Sequence, residues 1–421
     1  MSRGSMTIAA FSTIVEWYDF TLYFYLATVL SRVFFGEGTA SLMVTLGSFA
    51  IAYLMRPLGA VFFGYFGDLH GRRKAMLLSV ALMTVAMLVT AVLPARAQIG
   101  SAAGLAMVAL RCVMGFAVGG EYTGVVAYLI EGAPAHRRGL IASLAAAASE
   151  IGALLAVGVA ALTVNLLDAS ALDAWGWRVP FFFGAALAST VWIARSRMQE
   201  SPEFERQRSA GTVPLNPLRH ALAAHRRPIA RGFAISALGS ITYYVGITYV
   251  PTFLTTVGRL GEGESLGLAT WAAIAVILVT PLTGLLSDRI GRRPVLVGLS
   301  LCSAVLPIAL FSLMKQGPGS ALSGALALAC LAGGVSAVGA VATAEQLPGE
   351  GRLTGLAFGA TTATALFGGL TPFLAQLLIN ATGWPLVPGA MIAAVALLVL
   401  PVLVRLPETA PGCVDGRLAL K

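Results

Sequence analysis

Apolar runs long enough to cross a bilayer, ~20 residues each, follow one another along the chain, and every gap between them holds charge, proline or glycine. They fall near 8–33, 42–66, 74–94, 101–130, 139–167, 178–196, 229–257, 266–287, 293–314, 320–343, 353–380 and 384–405. This pattern predicts an all-α membrane protein with twelve transmembrane helices. The longest polar stretch runs from about Ser196 to Arg227, contains Pro202, Pro214 and Pro217, and divides the spans into two sets of six. The predicted organisation is an N-terminal six-helix bundle over 1–196, a cytoplasmic central loop over 197–228, and a C-terminal six-helix bundle over 229–421. Glu16 and Asp19 interrupt the first run and no small-residue cleavage site comes after it, so it is expected to stay as a span rather than leave as a signal peptide.

The two sets are related. Gly64-Tyr-Phe-Gly67-Asp68-Leu-His-Gly71-Arg72-Arg73 returns as Gly284-Leu-Leu-Ser-Asp288-Arg-Ile-Gly291-Arg292-Arg293, between the second and third runs of each set. Glu131-Gly-Ala-Pro134-Ala-His-Arg-Arg138 pairs with Glu345-Gln-Leu-Pro348-Gly-Glu-Gly-Arg352, and Gly176-Trp177-Arg-Val-Pro180 pairs more weakly with Gly383-Trp384-Pro-Leu-Val-Pro388. Three matches in register predict pseudo-symmetric bundles with a solute pathway between them.

Composition agrees: 57% of residues are hydrophobic and 11% charged, against about 25% charged in a soluble domain. The net charge of +9 sits in short turns and not in an aromatic-interleaved stripe, which sets nucleic acid aside. With the N-terminus inside, cytoplasmic segments hold Arg3, Arg72, Arg73, Lys74, Arg137, Arg138, Arg289, Arg292, Arg293, Arg352, Arg405, Arg417 and Lys421. The central loop adds Arg195, Arg197, Arg206, Arg208, Arg219, Arg226, Arg227 and Arg231, while the other side has only Arg32, Arg96, Arg178, Arg259 and Lys315. Both termini are therefore expected in the cytoplasm of a bacterial-type inner membrane. Cys112, Cys302, Cys330 and Cys413 lack metal or disulfide spacing, and His70, His136, His220 and His225 all fall in loops. No phosphate-binding loop occurs, so neither metal, cofactor nor catalytic residue is expected.

The duplicated turn resembles the Asp-x-x-Gly-Arg-Arg hallmark of the major facilitator superfamily. Within that superfamily, Glu16-Trp-Tyr-Asp19-Phe, Leu54-Met-Arg56-Pro57-Leu-Gly59, Arg111-Cys-Val-Met-Gly115-Phe-Ala-Val-Gly119-Gly120-Glu121 and Phe367-Gly-Gly-Leu-Thr371-Pro372 are similar to the metabolite:proton symporter family. Trp175-Gly-Trp-Arg178-Val-Pro-Phe and Glu200-Ser-Pro-Glu203-Phe are further likenesses. The resemblance implies the major facilitator fold and alternating access. It also implies a solute among citrate and other di- or tricarboxylates, 2-oxoglutarate, shikimate, aromatic acids and betaine-type osmolytes.

Six charges lie within predicted spans: Glu16, Asp19, Arg56, Arg111, Glu121 and Glu150. Each would cost ~3 kcal/mol against lipid, so they must face a cavity or one another. Glu16 and Asp19 share a helix face, and neighbouring carboxylates hold a proton more readily. Asp19, Glu16 and Glu121 are the candidates for proton coupling, with structural acids as the plainer reading. Arg111 either binds an anionic solute bidentately or pairs with Glu121 or Asp19 as a fixed charge. Arg56, beside Pro57, reads as more structural. Glu150 has no motif behind it. The candidate solute contacts are Arg111, Arg56, Tyr243, Tyr244 and Gln376, with Tyr249 assigned to the interfacial aromatic belt and Gly368, Gly369 and Pro372 to a bend or to close packing of small residues. The candidate cytoplasmic latch is Asp68, Arg72, Arg73, Glu131, Arg138, Asp288, Arg292, Glu345 and Arg352, the alternative being plain basic turns. Asp68 is expected to reach Arg138, and Glu131 to reach Arg72 or Arg73. The expected function is monomeric, proton-driven import of a small organic anion, a di- or tricarboxylate, the alternatives being a zwitterionic osmolyte or drug efflux.

Overall fold

The structure, a computed structural model, describes residues 2–36, 39–213, 216–411 and 413. Pro214, Arg417 and Lys421 lie outside the described residues. Residues 3–35 form α1, a helix in four consecutive pieces, and Thr39–His70 forms α2. The first half continues through α3 (Arg72–Val92), α4 (Ala102–Gly132), α5 (Arg138–Leu166) and α6 (Arg178–Ser196). The second half comprises α7 (Arg226–Thr248 with Val250–Thr256), α8 (Glu262–Ile290), α9 (Arg292–Leu313), α10 (Pro318–Gln346), α11 (Arg352–Thr382) and α12 (Val387–Val404).

Among the described residues nine of these are long and apolar enough to cross a membrane, and α7 is a tenth, bent by 42°. The bend falls at Tyr249, and Pro251 just after it has no N–H to offer the carbonyl one turn back. With the broken α1 and with α2, the set agrees with the twelve spans expected. One apolar core draws only on residues between Val15 and Ala188, and another only on residues between Ile235 and Leu406. The halves meet where α8 lies along α5 and α11 lies along α2.

Two segments differ from the expectation. Arg195, expected in the central loop, is inside α6 and fully buried. The stretch read as a loop contains two helices, Pro202–Ala210 and Pro217–Ala224, capped by Ser201 and Asn216. The first packs under the α2–α3 turn, with the Arg72 guanidinium 5.4 Å from the Phe204 ring centre. Polar composition had masked a short helix held by tertiary contacts.

Candidate functional site

A cavity of about 170 Å³ lies between the halves. The first half lines it with Glu16, Trp17, Tyr53, Arg56, Tyr122 and Glu150, and the second with Ser236, Ser240, Tyr243, Tyr244, Thr343 and Thr364. Tyr53 and Tyr244 join hydroxyls across the seam, about 25 Å along α2 from its end at His70 at 1.5 Å per residue. Phe20, Trp17 and Tyr243 complete that aromatic cluster. Helix α11 comes close enough for this because Gly368 and Gly369 lack side chains: a Cβ there would stand 2.9 Å from the Tyr244 ring and 2.5 Å from the Tyr53 ring. π-Helical turns occur at Tyr244–Thr248 in α7 and at Ala357–Thr361 and Ala365–Gly369 in α11, beside the site; at Gly368 and Gly369 the observed feature is close packing against the tyrosines.

All six span-embedded charges are drawn inward, but they divide into three groups. Arg111 binds Asp19 with both terminal nitrogens, at 2.9 and 3.3 Å, and lies 5.0 Å from the Tyr23 ring centre. Neither Arg111 nor Asp19 lines the main cavity; they line a side pocket of about 30 Å³ with Glu16 and Arg56. Glu121 does not meet Arg111. It is fully buried against Arg195, which also reaches Ser12 and the Met76 carbonyl. Of the two partners expected for Arg111, it takes Asp19; Arg195 was not foreseen for Glu121, because an arginine at the end of an apolar run reads as a loop residue, while this one turns inward to its carboxylate. The third group faces the cavity: Arg56 lies 3.4 Å from Glu16, and Glu150 accepts a hydrogen bond from the Tyr243 hydroxyl.

Arg56, judged structural from sequence, is thus the arginine that the main cavity presents. Glu150, left without a role, is its second carboxylate. Gln376 is not among the lining residues. It accepts from Tyr249 at 2.8 Å and donates to Asn380. Tyr249 is buried in the core of the second half rather than sitting in an interfacial belt.

Crossed contacts close the end that carries the duplicated turns. Asp68 accepts from the Leu353 and Thr354 amides at 3.4 and 2.9 Å and from the Thr354 hydroxyl at 2.8 Å, at the N-terminus of α11. Asp288 mirrors it, accepting from Gly139 and Leu140 at 2.8 and 2.9 Å at the N-terminus of α5. Each carboxylate therefore caps a helix of the opposite half, where amides and dipole favour negative charge. Arg72 lies 3.3 Å from Asp68 and 3.2 Å from Glu131; Arg292 lies 2.7 Å from Asp288 and 3.1 Å from Glu345. Arg352 crosses the seam to Glu131 at 2.8 Å.

The expected Asp68–Arg138 contact is absent, since Asp68 turns to α11. Arg138, the counterpart of Arg352, forms no ion pair among the described residues; Thr409 donates to Glu345 instead, at 2.7 Å. Arg73 stays in its own half, reaching the Ser196 carbonyl. Sequence reasoning also missed Glu200, which accepts from the Arg73 amide at 3.1 Å, and Glu408, which accepts from the Arg292 and Arg293 amides at 2.8 and 3.1 Å. The paired Ser-Pro and Pro-Glu-Thr surroundings were the available signal. Gly71 and Gly291, at φ 106° and 108°, make these approaches possible, because an L side chain there would be strained.

A family model described as "Sugar (and other) transporter" matches the chain twice, over residues 5–211 and 203–412. The chain belongs to this family, in the major facilitator superfamily and of the metabolite:proton symporter kind. A citrate-proton symporter of Klebsiella pneumoniae is 30% identical over 390 residues, covering 92% of this chain and 87% of that one. A proline/betaine transporter of Salmonella typhimurium is 29% identical over 426 residues, covering 98% and 85%. The solved proton:xylose symporter bound to 6-bromo-6-deoxy-D-glucose superimposes with a TM-score of 0.82 at 20% identity, covering 96% of each chain. This major facilitator protein is a multi-pass membrane transporter and not an enzyme.

Proposed function

We propose that the protein carries a small zwitterionic solute, of the betaine or proline type, into the cell with protons by alternating access. The charge balance of the cavity carries this reading. Its arginine, Arg56, is already engaged by Glu16, whereas Glu150 has no cationic partner among the described residues. A tricarboxylate would bring more negative charge to a site that is not positive. A zwitterion fits both ends: its carboxylate towards Arg56, and its ammonium towards Glu150 and the rings of Trp17 and Tyr243.

Import of a di- or tricarboxylate, expected first from the sequence, stands as a second reading. Trp17 Nε1 is buried without a hydrogen-bond partner among the described residues, and with Arg56 it would suit an anion once Glu16 is protonated. Relatives named for citrate-proton symport and for proline or betaine transport match equally well. For the protons, we assign Asp19 and Glu16: both are buried, each faces a guanidinium, and the side pocket joins them. Glu121, locked by Arg195, takes a structural part. The excess of arginine at the latch end supports an inner membrane with both termini cytoplasmic.

Reconstituted into liposomes with an inward proton gradient, the protein is expected to accumulate glycine betaine or proline, with uptake abolished by an uncoupler. Purified protein should gain thermal stability with the same solutes. Stabilisation by citrate or 2-oxoglutarate alone, with matching uptake, would replace the zwitterion by the second reading.

A further inference from the structure

We infer that Glu150 selects the cationic head group of the solute, and that Tyr243 couples that occupancy to the second half. The inference rests on the zwitterion reading and gives it a residue. Glu150 stands on α5 in an alanine-rich stretch, Ala145-Ala-Ala-Ala-Ser-Glu150. Ala146 and Ser149 beside it, and Ser236, Gly239 and Ser240 on α7, leave the space before it to a ligand.

The carboxylate is 3% exposed. It accepts a hydrogen bond from Tyr243, on α7 of the opposite half. Among the described residues it has no ion pair, unlike the other embedded charges, which are matched as Arg111 with Asp19, Arg195 with Glu121 and Arg56 with Glu16. A carboxylate buried without a cation is costly and is kept where something transient neutralises it. Here that is a proton or the head group of the solute.

Aromatic faces surround the same point. The Trp17 and Tyr243 rings lie edge to face with centres 5.2 Å apart, and Tyr243 and Tyr244 lie 5.6 Å apart. A trimethylammonium group cannot donate hydrogen bonds, so it is held by opposite charge and ring faces together. A secondary ammonium, as in proline, can also donate to the carboxylate. Either would compete with Tyr243 for Glu150. Because Tyr243 belongs to the other half, occupancy of the site acts on a contact between the halves.

The test is equilibrium binding of radiolabelled glycine betaine, proline and citrate to the full-length protein in nanodiscs, beside uptake in liposomes. Glu150→Gln keeps the shape and still accepts from Tyr243, so folding is expected to survive. Its affinity for betaine and proline should fall about tenfold or more, as loss of a charge-assisted contact implies, with citrate binding not weakened. Tyr243→Phe should retain betaine affinity and lose uptake rate. Wild-type protein that binds betaine, with Glu150→Gln binding it equally, overturns the role of Glu150 alone. A common loss for all three solutes would mark a structural residue and also overturn it. Tyr243→Phe with unchanged uptake removes the coupling. Wild-type protein that binds only citrate overturns the solute class itself, whatever the variants do.

Discussion

A carboxylate or guanidinium inside a membrane is tolerated where its counter-charge is within reach, as in the Asp19–Arg111 pair. Both side chains are buried and joined by two hydrogen bonds, so removing one partner strands the other, at a cost of ~3–5 kcal/mol. Arg111→Leu alone should therefore lower thermal stability markedly, while Arg111→Leu with Asp19→Asn should recover most of the loss. Accumulation behaves differently if Asp19 carries the coupling proton. Asp19→Asn, with or without the second change, should let solute equilibrate but not concentrate against a gradient, as measured by uptake in the presence and absence of an uncoupler. Full accumulation by Asp19→Asn would take Asp19 out of the coupling role. At this scale the sequence marked six embedded charges, because burial cost depends on position within an apolar run, but not Arg195 at the end of one. It named Asp19 among the partners of Arg111, but not Arg195 as the partner of Glu121. Glu121 and Arg195 are 74 positions apart, and nothing local distinguishes an arginine that turns inward from one that reaches for headgroups.

Helix termini carry the next level of control. Asp68 and Asp288 place negative charge on the N-termini of α11 and α5, each in the opposite half, so both caps must break for the arginine-rich end to open. A third apolar cluster lies across the same seam, with Val126, Ile130 and Ala142 against Val341, Leu347 and Leu353. Charge-assisted bonds of this kind contribute about 1.5–3 kcal/mol each, enough to bias a two-state equilibrium tenfold or more. In a variant lacking Cys112, Cys302, Cys330 and Cys413, a cysteine at Thr343 on the cavity wall should label slowly with a polar maleimide from the latch side. Asp68→Asn should speed labelling, and Asp68→Asn with Asp288→Asn should speed it further. Equal rates in all three would mean that the caps do not hold the closed state. The duplicated Gly-Arg-Arg turn made the charged cluster at this end legible in outline, since turn chemistry is local. Its crossing to the far half was not legible, because the partner amides of Leu353 and Thr354 carry no residue-type signature.

Two internal cores and two symmetric seams fit the proposal of two bodies that rock about a shared cavity. Residues of the first core stop at Ala188 and those of the second start at Ile235, so each half has an apolar core of its own, beside the cluster that the two share at the latch end. The seams, α2 with α11 and α5 with α8, hold the charged site between them. Covalent continuity should then matter less than the packing of the linker helices. The first ends at Gly211, exposed and left-handed at φ 67°, a position where a break disturbs no buried contact. Co-expressed fragments 1–211 and 212–421 should co-purify and restore uptake, whereas either fragment alone should not transport. Deleting Pro202–Ala210 from the intact chain should be worse than the cut, since Phe204 is buried beneath Arg72 and Gln207 is buried near the latch. Fragments that fail to associate, or a deletion that transports normally, would count against independent halves and against a linker that takes part in closure. The duplication and the polar gap were legible in the sequence, and the two-bundle expectation rests on them. The folded linker was not, because a short helix held by tertiary contacts leaves no periodicity long enough to read.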